Sequence, residues 1–345
     1  RRIVAFFINR LHEQLVVQHT VSELLFDGYP DPLIKESRII DPTIPDTNGK
    51  FGLMIKRNGS NDGLFTVYTG KGQMDKYNLI TRWNGLQNLT WWRGTCGMIN
   101  GSNGELVPPL SPGQDSLYIF NPDFCRSFKM VSDGYVTKMG INLERFVAPR
   151  STFQNGDNYS ANACFDTKFQ LRSGVMDLGP CQHGAPVALS FPHFYMADHY
   201  YLEQVEGLQP NSTLHRFQLD LEPKLGLTVS LRGRIQLNIV IKQNKLITNL
   251  ADALEVVYPF LWEEIHIEMN DDMANHLKWT MEDPIFYSML FCLFAAVLGW
   301  PSPFYCRGFA SLARSLQDCF IHRIRKTRLY LMTMKGEDAS QKSHT

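Results

Sequence analysis

The sequence predicts a mainly β fold with α: an antiparallel sheet or barrel decorated with short helices, followed by one C-terminal transmembrane helix. Three observations predict it. Short β-prone runs alternate with turn clusters through the first half, one long run from Val229 to Ile241 alternates strictly, and Pro284 to Cys306 carries no charge at all.

The chain opens RRIVAFFINRLHEQLVVQHT, with Ile3, Phe7, Leu11 and Leu15 on one helical face. Arg10, His12, Glu13 and Gln14 interrupt it, so this is an amphipathic helix and no membrane span. Arg1, Arg2 and Arg10 read as a solvated helix face in preference to a basic apex. Thr20-Val-Ser-Glu23 ahead of Leu24 and Leu25 is a capping box, opening a second short helix that ends near Gly28. Leu64–Tyr68, Leu117–Phe120, Ser127–Val131 and Arg145–Ala148 read as strands between polar turns such as Asn58–Gly63 and Asn100–Gly104.

In the run from Val229 to Ile241, Val229, Leu231, Ile235, Leu237, Ile239 and Ile241 share one face. Ser230, Arg232, Arg234, Gln236 and Asn238 share the other. Period two predicts one dry face and one wet or polar-lining face, and Gly233 predicts a bulge or bend.

The uncharged stretch has a continuous apolar part from Pro284 to Trp300, 17 residues. At about 1.5 Å per residue it covers ~26 Å, the short end for a hydrocarbon core near ~30 Å. Pro284 suits a first helical turn, while Pro301 and Pro303 end the helix. Trp300 and Tyr305 are interfacial rings. A buried core helix is the alternative.

Charge decides the orientation. The 34 basic and 34 acidic groups cancel over 345 residues, which argues against a nucleic-acid partner. Residues 307–345, however, hold eight basic and three acidic groups, and the excess places them in the cytoplasm. The expected organisation is therefore an extracellular or lumenal part over 1–283, a transmembrane helix over 284–306 and a cytoplasmic tail over 307–345. With 44% hydrophobic residues, collagen-like, low-complexity and disordered classes are excluded. Sending the large part across a membrane requires a segment ahead of Arg1, so an N-terminal region is expected beyond this sequence.

Cysteines and sequons fit that orientation. Cys96, Cys125, Cys164 and Cys181 lie before the span, an even number suggesting two disulfides, of which spacing alone permits three connectivities. Asn58, Asn88, Asn100, Asn158 and Asn211 begin N-x-S/T glycosylation sequons, and none follows the span. Cys306 is a juxtamembrane thiol of the kind that is palmitoylated; an unmodified thiol is the plain alternative.

No catalytic signature stands out. G-x-S-x-G, H-E-x-x-H, P-loop and G-x-G-x-x-G patterns are absent, and no zinc spacing occurs. Asn58–Gly63 lacks the bidentate acid of a calcium loop. His193, flanked by aromatics, reads as a hydrogen-bonded core histidine. No enzyme activity, cofactor or metal is expected; an unrecognised Ser/His/Asp site is the competing enzymatic reading.

Ten segments in series resemble the class B scavenger receptor family. They include Thr20-Val-Ser-Glu-Leu-Leu25, Trp83-Asn-Gly85, Cys96-Gly-Met-Ile-Asn-Gly101, Phe124-Cys-Arg-Ser127, Gly184-Ala-Pro186, Ser190-Phe-Pro-His-Phe194 and Gly207-Leu-Gln-Pro-Asn211. The resemblance implies two membrane spans with cytoplasmic tails and a glycosylated, antiparallel β-barrel-like ectodomain pierced by a hydrophobic tunnel. It implies bridges Cys125–Cys181 and Cys96–Cys164. A third bridge of some members is absent, since Asp166 stands at its cysteine position. The implied function is a plasma-membrane receptor taking up lipids, fatty acids, sterols or lipoproteins. The alternative is a lysosomal membrane receptor escorting a lumenal protein, a hydrolase; the acidic dileucine signal of lysosomal members is missing from GEDASQKSHT. No ligand-contact residue follows from the resemblance.

Overall fold

The structure, a computed structural model, describes residues 2–11, 14, 16–40, 44 and 46–297. The first helix, α1 (Arg2–Arg10), is shorter than the apolar spacing predicts. The capping box is present in both directions: the Thr20 amide donates to a Glu23 carboxylate oxygen at 2.9 Å, and the Glu23 amide donates to the Thr20 hydroxyl at 3.2 Å. It opens the helical turn Glu23–Asp27, which stops at Gly28, whose φ of +69° suits a residue without a side chain. A second helix, α2 (Pro32–Ile40), follows, framed by the paired strands β1 (Tyr29–Pro30) and β2 (Lys50–Phe51).

Strands β3 (Phe65–Val67) and β4 (Ile80–Trp83) form another two-stranded antiparallel ribbon. The main sheet has eight strands: β5 (Ser116–Asn121), β6 (Arg126–Lys138), β7 (Ile141–Val147), β8 (Val175–Asp177), β9 (Val187–Ser190), β10 (Gln218–Glu222), β11 (Leu227–Ile241) and β12 (Val256–Glu268). Their order is β5-β6-β7-β10-β11-β9-β8, with β12 also on β11. Each of the sequence-predicted strands falls in this set or in β3.

The expected barrel does not close among the described residues, because the path ends at β5 on one side and β8 on the other. Irregular chain covers the β5 edge instead. Ser102 bridges Ile119, its amide donating to the Tyr118 carbonyl at 3.3 Å while its carbonyl accepts from the Phe120 amide at 2.8 Å. An edge capped by a loop needs no further strand.

Strand β11 corrects a further expectation. Apart from the partly exposed Arg232, its polar face is not wet: Ser230, Arg234, Gln236 and Asn238 are all buried. They satisfy one another and their neighbours. Gln236 donates to Asn238 at 2.8 Å, Asn238 donates to the Ser190 hydroxyl at 3.0 Å, and Arg234 pairs with Glu264 at 2.8 Å. Buried polar groups survive only when bonded in this way. A register irregularity lies where Asp220 pairs with Ser230 and Leu221 with Thr228. The apolar core behind the sheet is rich in aromatic rings, among them Phe120, Phe128, Phe146, Phe153, Phe191 and Phe217.

The chain divides into two compact units, the second built from Thr137–Ile141 and the residues from Glu268 onward. Within it, Lys138 pairs with Glu268 at 3.1 Å. Between β9 and β10 lie two short helices of the first unit, α3 (Tyr200–Gln204) and α4 (Ser212–His215). The last helix, α5 (Asp271–Val297), belongs to the second unit and begins 13 residues earlier than Pro284 suggested. Asn270 caps it, its side-chain oxygen accepting from the Met273 amide at 2.9 Å, and Asp271 and Asp272 complement the helix dipole. Pro284 sits inside this helix, at the cost of one backbone hydrogen bond. Among the described residues no helix is long and apolar enough to cross a membrane. The far part of the expected span, from residue 298 to Cys306, lies outside the described residues, as does the tail over 307–345.

Candidate functional site

The connection Asn121-Pro-Asp-Phe-Cys-Arg126 turns sharply between β5 and β6. The Asn121 side chain accepts from the Phe124 amide at 3.0 Å, and Cys125 adopts a φ of +58°. The buried Trp92 indole donates to the Cys125 carbonyl at 2.7 Å. This turn delivers Arg126, at the first position of β6, into the interior, where it is 6% exposed.

Two disulfides fix what Arg126 meets. Cys125–Cys181, with a Cα separation of 6.3 Å, ties the turn to the loop after β8. Cys96–Cys164, with a Cα separation of 5.8 Å, holds the helical turn Ser160–Phe165. The residue after each of two bridged cysteines lines the same cavity: Arg126 follows Cys125, and Phe165 follows Cys164. The guanidinium carbon lies 3.8 Å from the Phe165 ring centroid, a cation–π stack, and Trp92 meets Phe165 edge-on at 5.1 Å.

The remaining bonds of Arg126 are all to neutral acceptors. Nη1 donates to the Thr152 carbonyl at 3.0 Å and lies 3.3 Å from the Met176 sulfur; Nε donates to the Ser127 carbonyl at 3.2 Å. No carboxylate among the described residues pairs with it. Burial alone pushes its pKa down to about 9, so it remains charged at neutral pH.

Arg126 faces a cavity of about 480 Å³, within the ~300–1,000 Å³ typical of small-molecule sites. Phe153, Val175, Met176 and Asp177 are the other deeply buried lining residues, while Asp157, Asp166 and Gln170 are exposed at the rim. Rim and floor are knitted together. Asp166 accepts from the Gly156 amide at 2.9 Å, Asn162 donates to the Ser151 and Gln154 carbonyls, and Thr167 donates to Asp177 at 2.6 Å. A side chain at Gly156 would collide with Asp166 and Ala163, so the close approach needs glycine. Beyond Arg126 and Phe153 lies a small void of about 10 Å³ walled by Phe124, Phe128, Ala148, Phe191, Phe217 and Ile235. The site thus offers one unpaired cation and one hydrogen-bonded carboxylate, Asp177, in its depth, further carboxylates at its mouth, and an aromatic interior behind.

The chain matches the model described as CD36 family over residues 1–302. It belongs to the CD36 family. Among curated proteins it is 37% identical to scavenger receptor class B member 1 of Sus scrofa over 75% of this chain and 51% of that protein. It is 31% identical to human lysosome membrane protein 2 over 92% of this chain and 66% of that protein, and 34% identical to protein peste of Drosophila melanogaster over 77% and 48%. The chain therefore spans about half to two thirds of the length of these CD36-family relatives.

Of the residues singled out in the sequence, the four cysteines form the two bridges that the resemblance implied, and the residues after Cys125 and Cys164 line the cavity. Asn58, Asn88, Asn158 and Asn211 are exposed and Asn100 is half-buried. Asn158 accepts from the Ser173 hydroxyl at 2.7 Å, and Asn211 caps α4 by accepting from the Thr213 and Leu214 amides. Cys306 lies outside the described residues. Sequence reasoning passed over Arg126 and Phe165; their adjacency to cysteines was the available signal. Among the described residues no cluster of three or more His, Cys, Asp or Glu side chains is placed to hold a metal ion.

Proposed function

We propose that this chain is part of a membrane scavenger receptor that binds and takes up lipid or lipoprotein ligands, passing apolar ligand through the interior of its ectodomain without covalent chemistry. The observation that carries the reading is the cavity at Arg126: a buried, unpaired guanidinium opening toward a cluster of phenylalanines. An acidic headgroup satisfies the buried cation through charge-assisted hydrogen bonds, and a hydrocarbon chain suits the rings behind it. The relatives named scavenger receptor class B member 1 support the same reading.

In this proposal residues 1–283 are outside the cell or lumenal, 284–306 cross the membrane and 307–345 are cytoplasmic, in a multi-pass protein of the plasma membrane. Tyr287, Met289, Leu290, Phe291, Leu293 and Phe294 of α5 are all exposed, so apolar side chains face outward on every side of the helix. That is the pattern of a segment surrounded by lipid. Asn58, Asn88, Asn100, Asn158 and Asn211 carry glycans, and Cys306 a palmitoyl chain. A lysosomal location with a lumenal protein ligand is the second reading, favoured by the 92% of this chain that aligns with lysosome membrane protein 2.

The test uses the complete receptor in cells, cross-linked with photoactivatable fatty-acid and sterol probes. Label inside the ectodomain, competed by unlabelled lipid, is the expected result. Label confined to residues 284–306 would reject the lipid route and promote the second reading.

A further inference from the structure

Away from the cavity, two histidines stack face to face. The His193 and His215 rings have centroids 4.5 Å apart and planes 7° apart, and His215 is 4% exposed. Each ring uses Nδ1 as an acceptor for a backbone N–H of the same loop: the Gln209 amide donates to His193 at 3.1 Å, and the Asn211 amide donates to His215 at 3.0 Å. An Nδ1 that accepts is unprotonated, so the neutral rings carry their protons on Nε2. Neither ring can become cationic without placing a proton on the nitrogen that now receives a backbone N–H.

The surroundings oppose a second charge. From β11, the buried Arg234 donates through Nη1 to the Thr213 carbonyl at 2.9 Å, in the same loop, and through Nε to Glu264 of β12 at 2.8 Å. Arg232 lies 4.0 Å from Glu264, and His266 also acts on that carboxylate. Arg216, just after α4, pairs with Asp133 of β6 at 2.6 Å. Trp262 of β12 closes over the His215 ring edge-on at 6.0 Å. Both nearby carboxylates are thus engaged by arginines, leaving none of these groups to pair with an imidazolium. Burial, then the His193 charge, then Arg234 hold the His215 pKa below the ordinary imidazole value.

The backbone adds stored strain. His193, Phe194 and Met196 take φ values of +52°, +53° and +64°, a left-handed conformation costly for residues with side chains. The His193 amide is pinned there by donating to Gln236 at 2.8 Å, while its ring holds Gln209.

We propose that the His193–His215 stack is an acid-operated latch on the loop from Leu208 to Arg216, closed at neutral pH and opened by protonation of the two rings. The latch is independent of the ligand reading. The sign follows from linkage: a histidine whose pKa is lower in the closed form binds fewer protons there than in the open form. Closure is therefore fully favoured above the ordinary imidazole pKa near ~6.5 and is lost as pH falls below it. The free rings do not suit a metal ion, since Nε2 is protonated while Nδ1 is engaged.

Hydrogen exchange on the full-length receptor, at pH 7.4 and 5.2 with intrinsic rates corrected, reads the latch directly. Protection across residues 208–216 falls at least tenfold at the lower pH in the wild type. In the double variant His193→Asn and His215→Asn, whose Oδ1 atoms stand where the Nδ1 atoms stood, protection is the same at both pH values. Should the double variant fail to fold, His193→Asn alone, at the half-buried ring, shows a drop at least threefold smaller than the wild type. Unchanged protection in the wild type, or an equal loss in the variants, overturns the proposal.

Discussion

On the sheet, Arg145 forks onto the buried Asp220 with bonds of 2.6 and 2.9 Å, and Arg234 pairs with Glu264. At the cavity, Arg126 is as deep as Arg234 and deeper than Arg145, but has only carbonyls, a thioether and an aromatic face. The Asp220 hydrogen bond pushes the Arg145 pKa upward, whereas burial pushes that of Arg126 down to about 9. The difference separates architecture from function. Paired arginines hold strands β7, β10, β11 and β12 together, and removing one partner strands a charge. An arginine held without a counter-ion among the described residues, beside an open cavity, is where the proposed acidic headgroup would bind.

The largest effect should come from the cross-links that keep Arg126 and Phe165 stacked. Removing Cys96–Cys164 by paired serine substitution frees a 68-residue separation and should cost on the order of 4 kcal/mol, read as a lower denaturant midpoint. Next comes the paired arginine. Asp220→Asn should cost about 2–3 kcal/mol, less than the ~3–5 kcal/mol of a wholly buried pair, because Arg145 is partly exposed. Arg126→Met should do the opposite of Asp220→Asn: stability changes by less than about 1 kcal/mol, since an unpaired buried charge contributes little, while acidic-lipid binding falls. If Arg126→Met destabilises as much as Asp220→Asn, the contrast between the two regions collapses.

The smallest effect sharpens the same logic for acids. Glu263 is held above the usual carboxylate range, first by burial and then by Asp123, itself raised chiefly by burial. A carboxyl whose folded pKa is raised penalises the fold when ionised, and the penalty lifts as pH falls through that pKa. Glu263→Gln should therefore raise the melting temperature slightly at pH 7.4 and lose that advantage near pH 4.

Local signals in the sequence carried far. The capping box at Thr20 and the strand at Val229–Ile241 are written in adjacent residues, and both stand in the structure. The family resemblance supplied the disulfide pairing that spacing left threefold ambiguous. What was hidden depends on distant partners. Gln236 and Asn238 have the period of a wet face, and distant partners, Ser190, Ala188 and His193, make it a buried one. Pro284 looked like a helix start because Asn270, which caps α5, opens a stretch rich in polar residues whose period of Met273, Leu277 and Met281 is brief. Arg126 stood in full view beside Cys125, but its lack of a counter-ion is a property of three dimensions. His193 and His215 meet across 22 residues, a contact no periodicity announces.

The central claim is that Arg126 receives an acidic headgroup, and equilibrium binding of matched ligands to the purified full-length receptor tests it most directly. The ligands are a long-chain fatty acid and the fatty alcohol of the same length, measured on the wild type and on Arg126→Met. The wild type should prefer the acid by about tenfold, as a charge-assisted hydrogen bond to a buried cation implies, and Arg126→Met should bind both alike. An acid preference that survives the loss of Arg126 would contradict the account.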